Sequence, residues 1–71
     1  MKTQDIIRER LVSYRRDSGL TAKEVAVKGE TTEKTIFRLE SPTYMFTPTL
    51  TTLIKLCYVY NVKLEDLFRG L

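Results

Sequence analysis

Two cations and a large apolar side chain stand close together in TTEKTIFRLE, residues 31–40. If this stretch is a helix, Lys34 and Arg38 lie four residues apart and share one face, with Phe37 beside them. The two remaining apolar residues lie three apart and can both reach a core, so Phe37 is left on the outside with the cations. Such a face can bind a polyanion, but a Lys–Arg pair on a helix is more often simply solvated. The core-facing residues of this helix would be Ile36 and Leu39.

The charge of the whole chain supports a polyanionic partner only weakly. Nine Lys and Arg and six Asp and Glu fall within residues 1–38, whereas residues 39–71 hold three of each kind. The entire net charge of +3 therefore lies in the first half of the chain. An excess of this size is common on ordinary soluble surfaces, and a solvated surface is the simpler interpretation of charge alone.

Catalysis and metal binding are disfavoured by the residues that the chain lacks. There is no His to serve as a base for a Ser or for Cys57. A single Cys excludes an internal disulfide and, without His, an ordinary metal site. The glycines are isolated and cannot build a phosphate-binding loop. The adjacent carboxylates Glu65 and Asp66 suit a helix start, where they interact favourably with the helix dipole. We therefore expect no enzyme activity, no metal and no other cofactor.

The length and hydropathy of the chain indicate one small domain spanning residues 1–71. At this size only about 60% of the unfolded surface can be buried, so stability requires tight helix packing or a partner subunit. No apolar run reaches the roughly 18 residues of a membrane helix, and the first residues do not resemble a signal peptide. A soluble protein in the reducing environment of the cytoplasm is expected.

Helix boundary signals divide the first half into three helices. An amphipathic first helix over about 4–18 ends at a Ser-Gly pair. Thr21 and Glu24, three residues apart, form a capping box that starts a second helix, which ends at a Lys-Gly pair. The third helix begins at Thr31 or Thr32. The residues predicted to face the core are Ile7, Leu11 and Tyr14 in the first helix, and Ala22, Val25 and Ala26 in the second.

The second half carries two further helices after a segment that Pro42 and Pro48 keep from being helical throughout. Thr47 is predicted to cap the fourth helix, with Pro48 in its first helical position. This helix is expected to end at Asn61, a residue type that tolerates the left-handed conformation of a helix C terminus. A short fifth helix covers about 63–69. The predicted core-facing residues are Leu50, Leu53, Leu56, Cys57 and Tyr60 in the fourth helix, and Leu64, Leu67 and Phe68 in the fifth.

Five short helices without a credible strand give an all-α bundle, and the tight Gly-containing turn between its second and third helices describes a helix-turn-helix at about 21–40. In this pattern the chain resembles the lambda-repressor-like family (Cro/phage repressor, XRE type) from about Ile7 to Phe68. LTAKEVAVK and TTEKTIFRLE correspond to the two helices of the motif, and PTLTTLIKLCYVYNVKLEDLF resembles the helix pair that follows. The resemblance implies a five-helix DNA-binding bundle and a prokaryotic or phage transcriptional regulator.

The resemblance also makes the outward side of the third helix a recognition face that enters the major groove of double-stranded DNA. Arg38 or Lys34 would then read the acceptors of guanine. Phe37 would touch a thymine methyl or, as an equally weighted alternative, pack under the loop at 41–47. Glu33 would accept a hydrogen bond from a cytosine amino group or repel nearby phosphates. The implied contacts to the DNA backbone are Thr21, Thr32, Thr35, Arg8 and Arg16, although the two arginines are equally well explained as solvated surface.

The chain departs from the family pattern at several positions. Ala22 stands where the family usually has a Gln that contacts a phosphate. Glu30 stands where a turn glycine is expected, with Gly29 just before it. Because the left-handed conformation costs a non-Gly residue about 1–2 kcal/mol, a turn shifted by one residue is the alternative. Lys63 replaces a capping Ser or Thr, and the loop that follows the third helix is longer than usual and has no basic residue.

A second subunit is expected, because one recognition helix reads only a few base pairs and a charge of +3 supports few phosphate contacts. We therefore predict a transcriptional repressor that binds a palindromic operator as a homodimer through the helix at 32–40. The alternative is a protein-binding module on the same fold, an antitoxin or antirepressor; an RNA-binding domain has less support. No small-molecule ligand and no membrane partner is indicated. The predicted dimer interface comprises Ile54, Tyr58, Phe68 and Leu71, and by family analogy Arg15 and Glu40 form a structural ion pair.

Overall fold

The computed structural model describes residues 2–43 and 48–71, and within these ranges every regular element is an α-helix. The predicted all-α architecture of five helices is confirmed. No helix in these two ranges is long and apolar enough to cross a membrane. The helices are α1 (Thr3–Ser18), α2 (Ala22–Lys28), α3 (Glu33–Glu40), α4 (Leu50–Tyr60) and α5 (Leu64–Phe68).

Threonine hydroxyls set the starts of α2 and α3. Thr21 Oγ1 accepts a hydrogen bond from the amide of Glu24 at 3.1 Å, and Glu24 Oε1 accepts one from the amide of Thr21 at 3.0 Å. This reciprocal pair confirms the predicted capping box. Thr32, and not Thr31, caps α3 by accepting from the amide of Thr35 at 3.2 Å. Each cap satisfies an amide that the first helical turn leaves without an intrahelical partner.

The fourth helix begins later than predicted. Its N-cap is Thr49, whose Oγ1 accepts from the amide of Thr52 at 3.2 Å. The predicted start, with Thr47 as the cap and Pro48 in the first helical position, is therefore wrong; Thr47 itself lies outside the described residues. Leu50 becomes the first helical residue and is 59% exposed, so its assignment to the core is wrong as well.

The core forms where the inner faces of all five helices meet. Burying a side chain such as Ile36 or Leu56, each 1% exposed, stabilises the fold by about 1.5–3 kcal/mol relative to leaving it in water. The rings of Tyr14 and Tyr60 lie 6.1 Å apart and join α1 to α4. The buried core residues are Leu11, Ala22, Val25, Ala26, Ile36, Leu39, Leu53, Leu56, Cys57 and Leu67, with Ile7, Leu20, Leu64 and Phe68 among the partly buried residues packed around them.

Two polar arrangements hold α5 in place. Arg10 Nη1 donates to the carbonyl oxygen of Leu67 at 2.8 Å and lies 3.4 Å from that of Asp66. These carbonyls belong to the last turn of α5, which has no later helical amide to satisfy it. At the other end, the amide of Lys63 donates to Asp66 Oδ2 at 3.1 Å, while the Lys63 side chain makes no capping bond. The Asp66 carboxylate therefore supplies the half of a capping box that satisfies the amide of the N-cap residue. Arg10, which sequence reasoning had counted only as charge, ties α1 to α5.

Candidate nucleic-acid interface

A Schellman motif joins α2 to α3. The amide of Glu30 donates to the carbonyl of Val27 at 3.3 Å, and the amide of Thr31 donates to the carbonyl of Ala26 at 2.9 Å. These are the two bonds that define the motif. Glu30 adopts the left-handed conformation with a φ of 54°, whereas the φ of Gly29 is −89°. The turn is therefore not shifted by one residue, and Glu30 occupies the position for which a glycine is expected.

The hydrogen bonds of the turn explain why Glu30 is tolerated there. Each contributes about 0.5–1.5 kcal/mol net, which together offset the roughly 1–2 kcal/mol that the left-handed conformation costs. Gly29 is favoured for a different reason, because it lies close to a carbonyl oxygen of its own helix. A Cβ at this position would lie 3.1 Å from the carbonyl oxygen of Val25 and 3.6 Å from a methyl of Val59. The glycine thus permits a close approach, and the strained residue follows it.

The two sides of α3 are clearly separated. Ile36 and Leu39 are 1% and 7% exposed and anchor the helix to the core. On the outward side Glu33 and Lys34 are exposed, and the ring of Phe37 is 56% exposed. This separation follows from the sequence, because the core residues are spaced three apart and the outward pairs four apart.

An open depression marks the outward side of α3 towards its C terminus. Its lining brings together Lys34 and Phe37 with Arg38, which is partly buried, and adds Ser41, which the sequence did not single out. Phe37 lines this depression and is more than half exposed. The alternative prediction, that Phe37 packs under the loop at 41–47, depends on residues 44–47, which lie outside the described part of the chain.

The three threonines predicted to contact the DNA backbone all take part in helix caps. Thr21 accepts the capping bond of α2 and keeps its own hydroxyl proton, so it can still donate to a phosphate oxygen. The hydroxyl oxygens of Thr32 and Thr35 lie 3.0 Å apart and share a hydrogen bond, which uses one of their two protons. The caps therefore leave hydroxyl donors at the starts of both motif helices.

The two arginines of α1 differ in their surroundings. Arg8 Nη1 lies 2.8 Å from Asp5 Oδ1, and this hydrogen bond holds the pKa of Asp5 below its usual value. Arg16 lies exposed in the last turn of α1. Eight residues of helix separate the two by about 12 Å along the axis. Of the two, Arg16 is the more available cation.

Arg15 and Glu40 form a two-pronged ion pair behind the motif. Arg15 Nε donates to Glu40 Oε2 at 2.7 Å and Nη2 donates to Oε1 at 2.8 Å, with the side chains 28% and 12% exposed. The hydrogen bonds to Glu40 raise the pKa of Arg15. Burial, followed by the charge of Glu40, raises the pKa of the nearby Tyr60 to about 12. The pair ties the last turn of α1 to the end of α3.

The residues predicted to form a dimer interface do not all lie on the surface. Ile54 and Tyr58 are 50% and 85% exposed and share a face of α4 with Leu50, four residues before Ile54. We call these three residues the outer α4 stripe. Leu71 is also exposed, at 48%. Phe68, in contrast, packs against the core and is not a surplus apolar residue. Sequence reasoning missed Leu50 because it had assigned this residue to the core.

The arrangement of α2, the turn and α3 is that of a known family. A family model of the Cro/C1-type HTH DNA-binding domain matches residues 10–69. The chain belongs to this family. As a Cro/C1-type domain it binds DNA, and the resemblance predicted from the motif helices and from the helix pair that follows is confirmed. No curated protein and no solved structure matches the chain significantly.

One phosphate contact expected of Cro/C1-type domains is missing from this chain. Ala22 is 7% exposed and belongs to the core cluster. Its methyl group cannot donate a hydrogen bond, so the first turn of α2 contributes less to backbone binding than a Gln would.

Other chemistries have little support in the residues that the structure describes. In residues 2–43 and 48–71 no group of three or more Cys, Asp and Glu side chains could hold a metal ion. Cys57 is buried, and burial raises the pKa of its thiol, which disfavours the reactive thiolate.

Proposed function

We propose that this Cro/C1-type domain is a sequence-specific transcriptional repressor that acts by binding an operator and not by catalysis. The observation that carries the proposal is the outward face of α3, where Lys34, Phe37 and Arg38 line one depression while the opposite face is buried. A recognition helix must offer base-reading side chains on one side and be fixed to the body of the protein on the other. α3 meets both conditions.

Fixation of α3 comes from three independent sources. Its inner face is buried, the Schellman turn connects it to α2, and Glu40 is held by Arg15 at its C-terminal end. Base reading depends on side chains held in one geometry, so these restraints support a sequence-specific role rather than a general affinity for polyanions.

A homodimer is part of the proposal. The chain carries a net charge of +3, and one subunit therefore offers few contacts to phosphate. Two subunits related by a two-fold axis would place their α3 helices about 34 Å apart, one turn of DNA, on a palindromic operator. The outer α4 stripe is the apolar surface that we assign to subunit contact, because its three side chains are each at least half exposed.

Selection from random duplex DNA tests the proposal. The purified protein should enrich a palindromic consensus whose half-sites are centred about 10 base pairs apart, and half-site duplexes should bind more weakly than the full site. Enrichment of no consensus after repeated rounds, with binding that varies only with salt concentration, would contradict a sequence-specific function.

A second candidate is a protein-binding module on the same fold, an antitoxin or antirepressor. It is favoured by the apolar outer α4 stripe and by the absence of a polar group at Ala22. Retention on heparin distinguishes the two functions. A DNA-binding domain should elute at a salt concentration that falls when Arg16 or Lys34 is replaced by Ala, and it should carry nucleic acid through purification. A protein-binding module should show neither property.

A further inference from the structure

The depression on α3 contains an aromatic ring as well as cations, and a site that bound phosphate by charge alone would not need the ring. We call the residues that line it, Lys34, Phe37, Arg38 and Ser41, the Phe37 patch. Lys34 lies three residues before Phe37 and four before Arg38, and Ser41 follows α3 as its C-cap, so the patch covers the C-terminal half of the helix and its end. A cation stands next to the ring in the chain, and another stands one turn before it.

Phe37 does not belong to the core that the described residues form. The core side of α3 is already filled by Ile36 and Leu39, and the ring of Phe37 remains 56% exposed between charged neighbours. Covering such a ring with an apolar group would remove apolar surface from water and stabilise the covered state. A partner that fits the Phe37 patch should therefore present a small apolar group next to hydrogen-bond acceptors.

Duplex DNA presents this combination where a thymine or a 5-methylcytosine neighbours a guanine. The only apolar groups on base edges in the major groove are the 5-methyl groups of thymine and of 5-methylcytosine, and guanine presents N7 and O6 as acceptors for Arg or Lys. In a pyrimidine–guanine step on one strand, the methyl and the two acceptors are neighbours in the same groove. A ring and a cation on adjacent residues can reach both.

We infer that the Phe37 patch reads the methyl group of a 5-methylpyrimidine directly 5′ to a guanine, so that operator affinity depends on whether that methyl is present. The inference rests on the proposed function. It extends it from recognition of sequence to recognition of base modification, because methylation of a cytosine in such a step creates the same apolar group that thymine carries.

Glu33 adds a preference between the two methylated pyrimidines. It lies four residues before Phe37 on the outward side of α3 and is exposed. Its carboxylate can accept a hydrogen bond from the N4 amino group of cytosine, but it repels the O4 acceptor of thymine. The combination of Glu33 and Phe37 therefore fits 5-methylcytosine better than thymine.

The test uses the selected operator with four bases placed in turn 5′ to the contacted guanine: cytosine, 5-methylcytosine, uracil and thymine. Cytosine and 5-methylcytosine differ only in the methyl, as do uracil and thymine. We expect each methyl to strengthen binding about fourfold at one position per half-site, the factor that corresponds to burying one methyl at ~0.8 kcal/mol. We also expect 5-methylcytosine to bind more tightly than thymine.

Three variants assign the effect to its residues. Phe37→Ala should bring both methyl ratios close to one, whereas Phe37→Leu, which keeps an apolar side chain, should retain part of them. Glu33→Gln should reduce the preference for 5-methylcytosine over thymine, because an amide can also donate to O4. Circular dichroism on each variant checks that the fold is intact.

Each outcome has a definite meaning. Methyl ratios near one at every pyrimidine–guanine step of the wild-type operator would overturn the inference while leaving sequence-specific binding in place. Methyl ratios that persist in Phe37→Ala would overturn it too, because another residue would then read the methyl. Selection of no operator at all would contradict the proposed function, and this inference with it.

Discussion

Replacing Glu30 with Gly should stabilise the protein through the backbone alone. Glu30 has a φ of 54° in the Schellman turn between α2 and α3, a conformation that favours glycine. Asn61 occupies the equivalent position after α4, with a φ of 58° and with the amide of Val62 bonded to the carbonyl of Cys57 at 3.0 Å. Asn tolerates this conformation better than Glu does, so the same motif is strained after α2 and much less so after α4.

The size of the effect follows from two opposing terms. Relief of the left-handed conformation should contribute about 1–2 kcal/mol to stability, and the greater freedom of glycine in the unfolded chain should remove about 0.5–1 kcal/mol. A net gain of about 0.5–1 kcal/mol remains. For a domain of this size such a gain corresponds to a rise in melting temperature of roughly 2–8 °C.

Chemical and thermal denaturation with matched variants isolate the backbone term. Glu30→Ala removes the same charge but keeps a Cβ, so it should not share the gain, and Glu30→Asn should fall between the two. The exposed carboxylate of Glu33, in the first turn of α3, allows a charge control: Glu33→Gln removes a favourable interaction with the helix dipole and should lower the free energy of unfolding by about 0.3–1 kcal/mol, so loss of a charge alone does not produce the gain. Equal midpoints for Glu30→Gly and Glu30→Ala would refute the reasoning, because Glu30 would then not be strained in solution.

The further predictions concern stability and assembly. Thr21→Ala should lower the free energy of unfolding by about 1 kcal/mol in urea titrations, and an unchanged midpoint would mean that α2 does not begin there. The hydrogen bonds to Thr21 hold the pKa of Glu24 below its usual value. They therefore stabilise the fold fully above the ordinary carboxyl pKa, and this stabilisation is lost as the pH falls through the lowered pKa of the folded state. In acid titrations Glu24→Gln should lack this loss of stability, because it has no carboxylate to protonate. Arg15→Met should cost about 2 kcal/mol, because it leaves the mostly buried carboxylate of Glu40 without its charged donors. Adding Glu40→Gln to Arg15→Met should recover part of that cost. If the costs of the two single substitutions simply added in the double mutant, Arg15 and Glu40 would not be energetically coupled. Tyr58→Glu should shift sedimentation at micromolar concentration from dimer to monomer, and a dimer that persists would place the interface elsewhere.

Local side-chain chemistry explains which parts of the fold could be predicted from the sequence. Thr21 with Glu24 is a signal complete within four residues, and the structure contains the predicted bonds. Asn61 is a second local signal, since few other residues accept a positive φ. The inner face of α3 follows from a three-residue spacing between Ile36 and Leu39. In each case the information lies within one helical turn and does not depend on the packing of distant elements.

The wrong predictions concern the start of α4 and the placement of Leu50. They arose because two residues near that start fit an N-cap equally well. Thr47 and Thr49 both fit an N-cap, because Pro48 suits either the first helical position or the extended residue before a cap. The bond from the Thr52 amide shows which of them acts as the cap. Leu50 lies three residues before a core position and four before Ile54, and the position of the helix start puts it on the outer side.

The turn before α3 shows how tertiary context can override a local preference. The sequence left open whether Glu30 adopts the left-handed conformation or the turn shifts by one residue. The cost of that conformation is known in advance, but the hydrogen bonds that offset it cannot be read from the sequence. Those bonds join Glu30 to Val27 and Thr31 to Ala26 and form only because α2 ends at Lys28, where the following Gly29 faces Val59 of α4. The site residues follow the same logic: the sequence places Lys34 and Arg38 on one face, but the depression that they share with Ser41 depends on how α3 ends.

Titration of two arginine variants against matched operators tests the central claim, that the outward face of α3 reads bases, most directly. Wild type, Arg38→Ala and Arg16→Ala should be compared on the preferred operator and on its single-base variants, each at two salt concentrations. Arg38→Ala should cost about 1–3 kcal/mol on the preferred operator and flatten the preference at one base position per half-site. Arg16→Ala should weaken all sequences alike and reduce the salt slope by about 0.9 for each phosphate that is no longer neutralised. If Arg38→Ala instead weakened every sequence equally, the residue would contact only the DNA backbone, and the assignment of α3 as the base-reading helix through this residue would be contradicted.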